Sequence, residues 1–152
     1  MACNREALEI LEEFNVTVVP KNIVPKAGET RSVATVQRIA RRHGRDHARF
    51  VIQAIVESQN NKAGLTETVI GAVSDIVLVF KRLYPTIYEK ETSRIFEFLD
   101  QTPIATLELM FIRNLEGITN RRSAFVGLLN ERVVRVFGTP QLDLLDDRRM
   151  YG

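Results

Sequence analysis

The chain has 152 residues, 45% of them apolar and 26% charged, with a formal net charge of +2. That is enough apolar material for one continuous core, and too little charge imbalance for a disordered or polyelectrolyte chain. One cysteine, Cys3, excludes a framework of internal disulfides, and no apolar run approaches the ~20 residues a bilayer span needs. The early acids Glu6 and Glu9 stand where a secretory leader would carry basic and then apolar residues, so a cytoplasmic location is expected.

In chain order, residues 4–14 suit a short amphipathic helix with Leu8, Ile10, Leu11 and Phe14 inward and Glu6, Glu9, Glu12 and Glu13 outward. Val16 to Val19 are β-branched, and Pro20 and Pro25 follow. Each proline removes a backbone donor and biases its predecessor away from helix, so residues 15–25 are the one place for an extended arm or edge strand. A helix is expected from Thr30 or Ser32 to Gly44 through Val33, Val36, Ile39 and Ala40. Another should run from Asp46 to about Ser58 through Phe50, Val51, Ala54 and Ile55. A polar connector to Gly64 precedes Thr66, an N-cap candidate. The stripe Val69, Ile70, Val73, Ile76, Val77 and Phe80 marks the central helix, closed by Pro85.

Residues 86–99 read as one helix through Ile87, Ile95, Phe98 and Leu99. Thr102–Pro103 reads as cap and first position of the next, which carries Leu107, Met110, Phe111 and Leu115 to about Glu116. After Gly117–Ile118–Thr119, a long helix from Asn120 bears Phe125, Leu128, Leu129, Val133, Val136 and Phe137, and Gly138 and Pro140 end it. The expected fold is mainly α: a compact orthogonal multi-helix bundle. Residues 1–30 form a first helix and arm, 31–140 the core, and 141–152 a tail.

Charge is most uneven between residues 31 and 50, where six arginines face one acid, Asp46. Arg38, Arg41, Arg42, Arg45 and Arg49 recur three or four residues apart. They form one ridge if the helix runs through Gly44, or a basic corner if the chain turns there. Arginine's planar fork suits phosphate, so double-stranded DNA is a candidate partner. The alternatives are a protein-facing ionic patch, or arginines that solvate a helix and pair with acids such as Glu57 or Glu67. A second cluster, Asn120, Arg121 and Arg122, opens the last long helix after a tight connection, as the second helix of a helix-turn-helix would. An ordinary helical hairpin fits equally, since bulky Arg113 stands where close helix approach favours a small residue.

His43 and His47 have four-residue spacing but lack a third ligand nearby, so no metal site is expected. Tyr84 and Tyr88 flank Pro85 and could stack on a partner or pack at a helix junction. No phosphate loop, nucleophile elbow or cysteine knuckle occurs. Neither catalytic residues nor a cofactor are therefore expected, and the chain reads as non-enzymatic. The stretch from Thr35 through Arg38, Arg41, Arg42 and His43 to Asn60, Asn61 and Leu65, with Arg121 to Arg132 later, resembles the helical region that accompanies ParB-like domains in bacterial or phage proteins. That resemblance, over residues 31–135, implies a DNA-associated regulatory role, and the complete ParB-like domain is missing. A protein-interaction adaptor meeting an acidic partner, or a homodimer, is the alternative.

Overall fold

A computed structural model describes residues 4–16, 27–114 and 120–140, the side chains of 27–30 excepted. Eight α-helices occur among them: α1 Arg5–Glu13, α2 Ala27–His43, α3 Arg45–Val56, α4 Glu67–Leu83, α5 Pro85–Lys90, α6 Thr92–Asp100, α7 Ile104–Asn114 and α8 Arg121–Phe137. A 3-10 turn, Gln59–Ala63, links α3 to α4. No strand occurs among the described residues, and the mainly α bundle stands as expected. The proposed arm falls largely on residues 17–26, outside the described residues. No described helix is long and apolar enough to cross a membrane.

The bundle is built around α4, which packs against α2, α3, α5, α7 and α8. Its stripe Val69, Ile70, Val73, Ile76, Val77 and Phe80 is buried, and Thr66 caps it by accepting the Val69 amide at 3.2 Å. α4 and α8 run in the same direction: Arg122 lies over Gly71 at one end, and the Phe137 ring meets Phe80 edge-on at 4.9 Å at the other. Tyr84 donates to the Gly138 carbonyl at 2.6 Å, while Tyr88 stacks on Phe50 at 5.0 Å, so both tyrosines pack at helix junctions.

Several expectations change. α2 begins at Ala27, earlier than Thr30. Gly44, at φ 97, ends α2 in a left-handed conformation, so the arginines divide between two helices instead of forming one ridge. The expected helix over 86–99 is two, with Glu91 between them. Pro85 does close α4, and as the first residue of α5 it starts a new helix where its missing donor is harmless. Thr102 turns its hydroxyl back to the Phe98 carbonyl and does not cap α7; the Ile104 amide is met by the side chain of Asn60.

Some apolar assignments fail at helix edges. Leu8, Met110 and Val136 are exposed, the last at 60%, because no described element covers those positions. On α8 the fully buried leucine is Leu129, and Leu128 is only half-buried.

Candidate functional site: an arginine-rimmed cleft

The two arginine clusters meet in part. A cleft of about 370 Å³ opens between α2, α4, α7 and α8. Arg38 borders it from α2, and Arg121 and Arg122 from the first turn of α8. Its floor is the stripe Thr68, Gly71, Ala72 and Asp75 of α4. Phe111 and Ile112 of α7 face Phe125 and Val126 of α8 as apolar walls. Glu67 and Glu108 supply carboxylates at the α4–α7 end, where the Thr68 hydroxyl donates to Glu108 Oε1 at 3.4 Å.

Small residues at the floor let an arginine lie across α4. Arg122 is 71% exposed at its side chain, reaches Asp75 Oδ2 at 3.8 Å, and passes over Gly71. Burial pushes the Asp75 carboxyl above its usual range, against the opposing pull of Arg122 and His43. An added Cβ at Gly71 would meet the Arg122 guanidinium at 3.3 Å, the far end of an exposed and flexible side chain. Gly71→Ala is therefore expected to stabilise the protein by about 0.5–1 kcal/mol, the helix-interior preference for alanine. A denaturant titration showing a loss instead would mean that Arg122 is held rigidly over the floor.

Arg38, Arg42 and Arg121 are exposed and form no ion pair among the described residues. Arg42 follows Arg38 by one helical turn; Arg41 is exposed on the same helix. Arg45 and Arg49 are placed differently. Arg45 holds Glu9 Oε2 at 2.9 Å, and Arg49 binds Glu13 through two of its nitrogens. The hydrogen bonds from Arg45 and then Arg5 draw the Glu9 carboxyl below its usual range, and Arg49 does the same to Glu13. These acids, not Glu57 or Glu67, are the partners. One signal was present in the sequence: Glu9 and Glu13 repeat the four-residue interval of Arg45 and Arg49.

Asn120 caps α8, its side-chain oxygen accepting the Ser123 amide at 3.1 Å. The turn of a helix-turn-helix would fall on residues 115–119, outside the described residues. His43 and His47 lie with ring centroids 5.1 Å apart, yet in different settings. His43 is exposed. His47 is buried, with Nδ1 accepting from Lys81 Nζ at 3.0 Å and Nε2 donating to Ser74 Oγ at 2.9 Å. The ammonium can only donate, which fixes the tautomer and leaves neither ring nitrogen open to a metal.

Compared with protein families, curated proteins and solved structures, the chain has no match.

Proposed function

We propose that this protein is a non-enzymatic DNA-associated regulator that grips duplex phosphates through Arg38, Arg42, Arg121 and Arg122. One observation carries the reading: arginines from α2 and α8, more than eighty positions apart in sequence, border a single cleft. Their planar forks suit phosphate oxygens, and the N-terminal end of α8 adds partial positive charge beside Arg121 and Arg122. Arg45 and Arg49 are left out, because the carboxylates of α1 already occupy them. The resemblance to the helical region beside ParB-like domains points the same way and suggests a bacterial or phage setting.

The test is a salt-dependent duplex titration. Removing one phosphate-binding side chain should flatten the logarithmic salt slope by roughly 0.9, so Arg38→Gln/Arg121→Gln/Arg122→Gln should lower it by about 2–3 and weaken binding to unrelated duplexes alike. Arg45→Gln/Arg49→Gln should leave the slope near that of the native chain. A triple variant with native affinity and slope would sink the reading.

The adaptor reading keeps one favourable observation. Leu109, Met110 and Ile112 of α7 are exposed beside the cleft, an apolar margin that phosphates do not use. Absence of duplex binding by the native chain at low salt would select it.

A further inference from the structure

Phosphates satisfy only part of the cleft. Arg38 and Arg121 form no ion pair among the described residues, and neither do Glu67 and Glu108, although all four border the same space of about 370 Å³. Opposite charges lining one cleft would gain by meeting, yet the bundle holds these beyond ion-pair distance. A duplex would neutralise the arginines and leave both carboxylates facing its own negative charge.

Each part of the lining selects a feature of a ligand. The arginines take an anionic group, and Asp75, 3.8 Å from Arg122, favours a single negative charge there over two. The Phe111 and Phe125 rings, with centroids 5.5 Å apart, accept an aromatic or branched body. At the floor, Gly71 and Ala72 carry nothing longer than a methyl group, so a flat body can lie close to α4. The exposed Glu67 and the half-buried Glu108 take a cation. Glu67 precedes Gly71, the residue beneath the Arg122 guanidinium, by four positions of helix, so the two charges of a ligand stand on the order of 6 Å apart. The cleft has the volume of a small-molecule site, roughly 300–1,000 Å³.

We infer that the cleft is a binding site for a small zwitterion, a carboxylate and an ammonium held apart by an aromatic or branched apolar body. The carboxylate meets Arg38, Arg121 and Arg122, and the ammonium meets Glu67 and Glu108. This assignment stands on the lining alone. Its consequence rests on the DNA reading: the ligand occupies the arginines assigned to phosphate, and so releases the duplex.

Amide chemical shifts of the full chain, with no nucleic acid present, test the site. Three probes share one ring: para-aminomethylbenzoate carries both charges, para-methylbenzoate only the carboxylate, and para-methylbenzylamine only the ammonium. The first should shift Gly71, Phe111 and Phe125 saturably and bind about tenfold more tightly than either of the others, the worth of one charge-assisted contact. Arg121→Gln should weaken both carboxylates. Glu67→Gln/Glu108→Gln should reduce para-aminomethylbenzoate to the affinity of para-methylbenzoate while the latter binds no less tightly, a pattern that lost folding would not produce. No saturable shift at the cleft, equal affinity of the native chain for the zwitterion and para-methylbenzoate, or an undiminished advantage in the double variant would each overturn the inference. A duplex titration then reads the consequence: the zwitterion at about ten times its dissociation constant should weaken duplex binding about tenfold. Probe binding with no duplex binding, or with duplex binding indifferent to the probe, would remove the DNA reading from this cleft and leave the zwitterion site standing.

Discussion

Asn60→Ala is expected to destabilise the protein by about 3–5 kcal/mol, while Asn61→Ala, one position along the same turn, should cost no more than about 0.5 kcal/mol. Asn60 is buried at 2% exposure in the 3-10 turn. Its NH2 group donates to the carbonyls of Leu99 at 2.8 Å and Thr102 at 3.0 Å, and its side-chain oxygen accepts the Ile104 amide at 3.0 Å. One side chain therefore satisfies the end of α6 and the start of α7 together. Truncation leaves those backbone groups without partners in a site closed to water, and each such buried group costs about 1–3 kcal/mol. Asn61 is exposed and offers no comparable bond. Chemical denaturation of both variants is the check, and similar small losses would show that water reaches the junction.

Stability should also fall as the pH drops from about 6.5 toward 4, because of His47. Burial, helped by the Lys81 and His43 charges, lowers its pKa from 6.5 to about 4. In that window the unfolded chain takes up a proton that the folded chain refuses. Folding stability is therefore complete above 6.5, declines with falling pH by up to about 1.4 kcal/mol per unit, and levels off below the folded pKa. The total is on the order of 3 kcal/mol. Asp75, whose pKa is raised by burial, contributes a slope of opposite sign, so the quantity to measure is the difference between native chain and His47→Gln. The slope should flatten in His47→Gln and persist in His43→Gln, whose ring is exposed. Parallel profiles for all three proteins would mean that the imidazole is charged inside the fold.

The sequence makes the helices with wide apolar stripes plain. α4 shows both its stripe and its Thr66 cap, and α8 shows its end at Gly138. Three kinds of fact stay hidden, each for a physical reason. A helix break without glycine or proline, as at Glu91, depends on how α5 and α6 pack and leaves no local signal. A long-range cap such as Asn60 on Ile104 joins elements that the chain order separates. The fate of the arginines depends on which acids the fold delivers to them. Arg45 and Arg49 look identical in sequence to Arg38 and Arg42, and only the docking of α1, held by Ala7, Ile10, Leu11 and the Ala7 amide on Gln37, sets them apart. Convergence of Arg38 with Arg121 and Arg122 is likewise a property of the bundle, invisible along the chain.

The two ends of α8 are held very unequally. At Phe137 the ring meets Phe80, Tyr84 and Phe98, with the Arg94 guanidinium 5.1 Å from its centroid, and the hydrogen bond from Tyr84 to Gly138 fastens the backbone just beyond. At the other end one ring pair, Phe125 with Phe111 at 5.5 Å, holds the helix, and beyond it Arg121 is exposed and Arg122 reaches Asp75 at 3.8 Å. Held in this way, the helix is expected to act as a lever about 24 Å long with its fulcrum at the aromatic cluster. A tilt of roughly 5° about that fulcrum carries the first turn by about 2 Å at a rise of 1.5 Å per residue, while Phe137 stays seated. Labels on the two ends of α8, each measured against α4, would register such a stroke at one end alone. A ligand held by those arginines would therefore pull where the mechanical advantage is greatest, and the width of the cleft would be the gauge of how hard it pulls.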